Sequence, residues 1–268
     1  MEAIKRDSQG EVAHDFCKAD SRHETDHPLP QIASSAGQVR RAHVGRRRMK
    51  NRLFGWLALA SVSVAIATAA EGDGWTSMFN GKDLAGWKSN DEIPGAFSVE
   101  DGTIKVSNGR AHLFYVGPDG AAKFKNFEFK AKVKIAGTEQ GSNSGIYIHT
   151  EFEPTGWPSK GYECQVNSTK HKDPKKTGGL YAVKDVLNTS PVADDEWFDY
   201  SIKVEGKHIT ISINGAVTSD FTEPEGWDPA TALKNMPGRK LGEGTMALQG
   251  HDPKSLVFYK DLYIKPLP

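Results

Sequence analysis

Cysteine is almost absent from this chain. Of 268 residues only Cys17 and Cys164 are cysteines, and a domain that begins after residue 70 keeps Cys164 alone. An intramolecular disulfide is then impossible, and a fold of this size has to rest on a packed core. Cys164 stands between Tyr162 and Val166 on the apolar side of a strand pattern, which reads as a buried structural thiol and not as a nucleophile. Excess charge is missing too, since 34 Lys and Arg balance 34 Asp and Glu. Nucleic-acid binders normally carry a basic excess on one face, so this balance argues against a nucleic-acid partner. A third absence is helical periodicity. Beyond residue 70 no window longer than about ten residues carries a 3.6-residue apolar stripe, and Asp228 to Leu233 offers one short turn at most. What is present is ordinary globular composition, 25% charged and 37% hydrophobic, enough for one sizeable core.

The N-terminal part reads as targeting sequence. Lys50 and Arg52 follow Met49, Leu53 to Ala69 is an uncharged apolar run, and Ala67 to Ala70 are small. Residues 49–70 therefore have the layout of a secretory signal peptide. The run is slightly short for a bilayer core, which takes about 20 apolar residues. A secreted or periplasmic product spanning residues 71–268 is expected, with no membrane attachment after cleavage. Residues 1–48 are polar, rich in His, Arg, Asp and Ser, and without periodicity. They are expected to be a disordered leader, or an untranslated stretch ahead of a start at Met49.

From residue 71 onward the dominant signal is period two. In Asn126 to Ile135, Phe127, Phe129, Ala131, Val133 and Ile135 alternate with Glu128, Lys130, Lys132 and Lys134, the pattern of a half-buried strand. It returns with Phe198, Tyr200, Ile202 and Val204, then with Ile209, Ile211 and Ile213, and near the end with Leu262 and Ile264. Gly206-Lys207 and Asn214-Gly215 are hairpin signals between such runs. Short strands at regular spacing, separated by Gly and Pro turns, predict an all-β jelly-roll sandwich of two antiparallel sheets. Phe129, Val133, Ile202, Ile211 and Phe258 are the expected core. The polar stretch Asn167 to Asp195 is the least regular, either a functional loop or a solvated excursion.

Two strands have informative polar faces. Gly145 to Phe152 alternates Tyr147, His149 and Glu151 with apolar residues, and Gly161 to Asn167 alternates Glu163, Gln165 and Asn167 with Tyr162, Cys164 and Val166. A third segment, Met246 to His251, puts Gln249 and His251 together. If these strands share a sheet, amides, an acid and two histidines form one cleft floor. Groups that hydrogen-bond hydroxyls, flanked by aromatic faces such as Trp157 and Trp227, suit a carbohydrate partner. The plain alternative is the solvated face of an antiparallel sheet, but such faces are usually richer in Lys, Thr and Glu.

The order of motifs resembles the 3-keto-disaccharide hydrolase family. The resemblance runs from Gly74-Trp75-Thr76-Ser77-Met78-Phe79-Asn80-Gly81 through Asn143-Ser144-Gly145-Ile146, Gly161-Tyr162-Glu163-Cys164-Gln165 and the segment Gly178 to Tyr181. It ends with Glu196-Trp197, Ile213-Asn214-Gly215 and Leu248-Gln249-Gly250-His251. It implies a concanavalin A-like lectin/glucanase jelly roll, export, and action on glycosides oxidised at C3. It also adds Tyr181 to Tyr147, Trp157, Gln165, Asn167 and Gln249 as expected substrate-binding residues. Many relatives carry Arg after the Asn-Ser-Gly strand, where this chain has His149.

Ordinary glycoside hydrolysis uses two carboxylates about 5 to 10 Å apart. The strand Gly161 to Asn167 offers Glu163 alone, with Glu151 on the neighbouring strand as the candidate second acid. A 3-keto sugar needs less. Its ketone acidifies the C2 proton, so one base can remove that proton and the C1 substituent can leave. His251 or His149 suits the base, amides suit the developing enolate oxygen, and Glu163 suits acid–base work or positioning. His and Glu here could also hold a divalent metal, although no tight ligand motif is present. A non-catalytic carbohydrate-binding module would use the same face, with Trp157 and Trp227 as platforms.

Overall fold

The computed structural model describes residues 73–90 and 92–268. The proposed leader and signal segments lie outside them. No helix of the described residues is long and apolar enough to cross a membrane.

The strands are β1 (Thr76–Ser77), β2 (Trp87–Ser89), β3 (Phe97–Glu100), β4 (Thr103–Val106), β5 (Ala111–Tyr115), β6 (Asn126–Ile135), β7 (Asn143–Thr150), β8 (Tyr162–Asn167), β9 (Lys175–Leu180) and β10 (Lys184–Leu187). They continue with β11 (Trp197–Glu205), β12 (His208–Ile213), β13 (Ala216–Thr222), β14 (Thr245–Gly250) and β15 (Val257–Leu267), and α1 (Pro229–Ala232) is a single turn before β14. They form two antiparallel sheets, the jelly-roll sandwich that alternation predicts. One sheet runs β13-β12-β11-β6-β15-β4-β3 with β1 on β15, and the other runs β10-β9-β8-β7-β14-β5-β2.

The long alternating strands pair as their periodicity requires. Phe129 faces Ile202 and Val133 faces Phe198 across β6 and β11, while Ile202 faces Ile211 across β11 and β12. All five side chains are buried, and burying each fully is worth about 1.5–3 kcal/mol. Asn214 and Gly215 both have positive φ, 49° and 80°, the backbone that a two-residue hairpin of matching twist demands. From the other sheet Ile146, Ile148, Tyr162, Cys164, Val166 and Leu248 meet this layer in one core. Cys164 is fully buried there, and burial pushes its thiol far up, so it stays protonated and inert.

Two expectations need correction. Phe258 is not in the core: it lies on the outer face with Lys134 Nζ 4.8 Å from its ring centroid, while Val257 and Tyr259 point inward. The cause is a break in register between Lys260 and Tyr263, where Asp261 takes a φ of 52°. One extra residue there exchanges the faces, so residues 257 and 259 share a side with 262 and 264. The second correction concerns Asn167 to Asp195, which is no long loop. It folds into β9 and β10 and extends the second sheet.

Candidate functional site

On the second sheet, three adjacent strands aim their non-core side chains at one cavity of about 430 Å³. Asn143 and Tyr147 come from β7, Glu163 and Gln165 from β8, Gln249 from β14, and His251 from the residue after Gly250. Tyr181 follows β9. Trp157, Pro158 and Ser159 wall one side, and Asn235, Met236, Pro237 and Arg239 arrive from the segment after α1. Trp157 is 43% exposed, an open aromatic platform of the kind sugar rings stack on.

Glu163 organises the floor. Its Oε2 accepts from Tyr147 Oη at 2.9 Å and from Arg239 Nη2 at 3.1 Å, and its Oε1 accepts from Gln249 Nε2 at 2.8 Å. Glu163 is on β8 and Gln249 on β14, with β7 between them. The bond crosses β7 at Gly145, where a Cβ would sit 2.9 Å from Glu163 Oε1. Glycine is required there by close approach. The Glu163 and Arg239 side chains are only 7% and 8% exposed. Burial alone would lower the Arg239 guanidinium, but Tyr147 and Glu163 outweigh it and hold it above its usual value. Burial, then Glu163, pushes the Tyr147 phenol well up, so it is a donor.

Several buried polar atoms on this floor find no partner among the described residues. They are Asn143 Oδ1 and Nδ2, Gln249 Oε1 and Arg239 Nε. Each such group costs about 1–3 kcal/mol if left unmade, so the floor is suited to a ligand dense in hydroxyl and carbonyl groups. His251 Nδ1 lies 3.0 Å from Asp252 Oδ2. The ring packs 5.5 Å from Trp157 and 5.4 Å from His171, and Nε2 makes no hydrogen bond to any described residue.

The cavity thus gathers Tyr147, Trp157, Glu163, Gln165, Tyr181, Gln249 and His251 from the sequence-predicted set. It leaves out four others. His149 takes a φ of 54° where the β7–β14 register shifts, and this bulge turns its ring off the cavity face. Its Nε2 sits 2.9 Å from the Lys125 carbonyl, its Nδ1 accepts from the Gly242 N–H, and its ring packs 5.6 Å from Phe127. Burial lowers its pKa. Asn167 spends its amide on the carbonyls of Asp173 and Lys175, clamping the β8–β9 connection. Trp227 packs on Phe221 and donates from Nε1 to the Arg239 carbonyl at 2.9 Å, so it supports the Arg239 segment and lines no cavity. Glu151 pairs with Lys160 in solvent, both side chains 57% exposed.

Sequence reasoning missed Asn143, Arg239, His171, Asp252 and His112. Asp252 carried a signal, standing beside His251. His112 on β5 lies against Tyr147 and Trp157 with both ring nitrogens unpartnered among the described residues, and burial pushes it down to about 4.

His171, His251 and Asp252 are the one group of possible metal-ligand atoms found among the described residues, all within 4.8 Å of one another. The donor set does not suit a cation. His171 Nδ1 accepts from the Asp173 N–H at 3.2 Å, so in the neutral ring the proton is on Nε2, the atom facing Asp252. A ligating nitrogen needs a free lone pair there.

Known proteins share both the sequence pattern and the sandwich. The profile of the 3-keto-alpha-glucoside-1,2-lyase-like domain matches residues 74–265. Two solved structures from Parabacteroides distasonis, each named a "putative glycosyl hydrolase", share the fold. One is 26% identical with a TM-score of 0.61, covering 73% of this chain and 94% of its own. The second is 21% identical with a TM-score of 0.55, covering 72% and 99%. No functionally curated protein matches by sequence.

Proposed function

The chain belongs to the family of 3-keto-alpha-glucoside-1,2-lyase-like domains, and on that premise we propose that it cleaves glycosides whose sugar carries a ketone at C3. The observation that carries this reading is the single carboxylate among the side chains lining the cavity. Glu163 is tied by three donors, and Glu151 stands outside in an exposed ion pair. Two-carboxylate hydrolysis has no second acid in the cavity. Chemistry that starts from a ketone needs one base and a set of donors instead.

In this reading His251 Nε2 removes the proton on C2, acidified by the C3 ketone. The electron pair moves into the C2–C3 bond, and the ketone oxygen becomes an enolate held by neutral and cationic donors of the floor. The enolate then collapses, the C1–O bond breaks, and the leaving alcohol takes the proton that His251 Nε2 now carries. Addition of water across the resulting C1=C2 double bond restores the 3-keto sugar, so the sum is hydrolysis. Asn143, Gln165 and Gln249 supply amide donors, Arg239 a fixed positive charge, and Glu163 positions Tyr147, Arg239 and Gln249. Tyr181 and Trp157 bind the sugar and its substituent. Fixed dipoles aimed at developing charge in a largely dry site are the strongest general source of rate acceleration. Likeness to the 26% identical Parabacteroides distasonis protein named a "putative glycosyl hydrolase" and the polar floor unpartnered among the described residues support a glycoside partner. The exported location proposed from residues 49–70 agrees with such a substrate.

The test uses a 3-keto-glucoside and its unoxidised parent in deuterated water. The ketone should be turned over, the parent should not, and deuterium should appear at C2 of the product. His251→Ala should lower kcat by about 10² to 10⁴, the usual contribution of a positioned base. Equal rates on the parent would refute the need for a ketone, and unlabelled product would refute elimination. Full sugar affinity with no turnover in the unsubstituted protein would instead establish the binding-module reading, which the exposed Trp157 platform favours.

A further inference from the structure

We propose a relay in which Asp252 fixes the His251 tautomer through its hydrogen bond to Nδ1, and His171, 3.6 Å from the same carboxylate oxygen, positions Asp252 through an electrostatic contact longer than a hydrogen bond. This rests on the reading of His251 as the group facing the reacting carbon, and it assigns two positioning residues to that site.

His171 stands on the connection between β8 and β9. Its loop is anchored by Lys176, a buried lysine on β9 whose Nζ donates to the carbonyls of Ser168 at 2.9 Å and His171 at 2.7 Å. With its Nδ1 held by the Asp173 N–H, the neutral imidazole presents Nε2–H, and that atom lies 3.6 Å from Asp252 Oδ2. The same oxygen accepts from Ser255 Oγ at 2.7 Å and lies 3.0 Å from His251 Nδ1, while Oδ1 accepts from the Lys254 N–H at 2.9 Å. Hydrogen bonds therefore converge on Asp252 from two side chains, His251 and Ser255, and one backbone group, with His171 Nε2 just beyond hydrogen-bond distance.

A carboxylate so placed dictates the state of its neighbour. It accepts but cannot donate, so His251 must carry its proton on Nδ1 and keep the Nε2 lone pair for the cavity. The same carboxylate stabilises the imidazolium that forms when Nε2 takes a proton, the role an orienting acid plays beside a general base. Burial alone would raise the Asp252 carboxyl, but Ser255, His251 and the Lys254 N–H outweigh it and hold it below the usual range. His171 is lowered by burial and by His251, so it stays neutral and competes little for the carboxylate charge. The charged or titratable groups that act on this set are His112 near His251, and Asp173 and Lys176 near His171.

The substitution Asp252→Asn separates this reading from a structural one. An amide can donate to His251 Nδ1, which would move the ring proton to Nε2 and remove the base. The expected result is a kcat loss of about 10² to 10⁴ with KM changed less than about threefold. In ¹⁵N spectra of the histidine rings, one ring should change from the Nδ1–H to the Nε2–H tautomer. That readout needs no substrate, so it stands even if the protein proves inactive on 3-keto sugars. His171→Gln, which retains a donor toward Asp252, should lose less than about tenfold in kcat. It should also displace the acid limb of the kcat/KM profile. An unchanged tautomer in folded Asp252→Asn, or undiminished kcat, would overturn the relay. So would activity that chelation removes and Mn²⁺ or Zn²⁺ restores, with metal content lost in both variants. If Asp252→Asn does not fold, the pH profile of His171→Gln decides, and an acid limb that does not move would overturn the relay.

Discussion

Replacing Glu163 by Gln should unbalance the centre of the site through charge alone. The carboxylate lies at the meeting point of Tyr147, Arg239 and Gln249. In Glu163→Gln the new amide oxygen can face Tyr147 and Arg239, and its NH₂ can face Gln249. Gln249 can present its Oε1, which has no partner among the described residues, by rotating its own amide. The three hydrogen bonds at the Glu163 position are then conserved, only the long 3.3 Å contact from Gln249 Nε2 to Tyr147 Oη is given up, and the negative charge is lost. Arg239, 8% exposed, is left as a buried cation without a counter-charge. Breaking a buried ion pair from one side costs about 3–5 kcal/mol, a large part of the roughly 5–15 kcal/mol that holds an average domain. Arg239→Met on that background removes the stranded charge at similar length, and most of the loss should return. Urea unfolding followed by far-UV circular dichroism gives all four corners of the cycle. A coupling energy above about 2 kcal/mol is expected. A Glu163→Gln loss below about 1 kcal/mol, or no recovery in the double variant, would show that water reaches the pair and that Glu163 does not organise the floor.

Two further outcomes follow from the core and from the buried histidine. Phe129, 1% exposed between the sheets, should lose about 3–5 kcal/mol as Phe129→Ala, read as a fall in urea midpoint at unchanged slope; a loss under about 1 kcal/mol would place it outside the core. His112 falls from 6.5 to about 4 on folding, so its contribution is complete above pH 6.5 and is lost as pH drops toward 4. At about 1.4 kcal/mol per pH unit this amounts to about 3 kcal/mol. His112→Phe should flatten that part of the stability–pH curve, and an unchanged curve would refute the assignment.

Much of the fold could be read from the sequence because a sheet writes its two faces into alternate residues. Phe127 to Ile135 and Phe198 to Val204 needed nothing else to be placed, and the Asn214-Gly215 turn joined the next strand correctly. The same logic collected Tyr147, Glu163, Gln165 and Gln249, because each stands opposite an apolar neighbour on a strand whose other face is core. Arg239 escaped it, since the segment after α1 has no period and reaches the floor through tertiary contacts. Its backbone is held there by Trp227 Nε1 and its guanidinium by Glu163. His171 escaped for a different reason. The polar composition of Asn167 to Asp195 hid two strands, the edge strand β10 and its neighbour β9, and Lys176, a residue that normally signals solvent, is one of their buried anchors.

The two side chains put on the wrong face, His149 and Phe258, have one cause between them. Each lies close to a non-glycine residue with positive φ, His149 itself at 54° and Asp261 at 52°, where a strand pairing shifts register. Alternation is a rule about parity, and a bulge changes parity without changing composition. Nothing in Ile148-His149-Thr150 announces the bulge, because no glycine or asparagine is needed when the surrounding contacts hold the residue in place. Those contacts are visible only in three dimensions: the Lys125 carbonyl on one ring nitrogen of His149, the Gly242 N–H on the other, and Phe127 against the ring. The bulge also has a consequence for the chemistry. By turning His149 off the cavity face it leaves His251 as the only histidine among the cavity-lining residues. A proton taken from a bound substrate then has one imidazole to go to, and the carboxylate beside that imidazole, Asp252, is the group that decides which of its nitrogens is free.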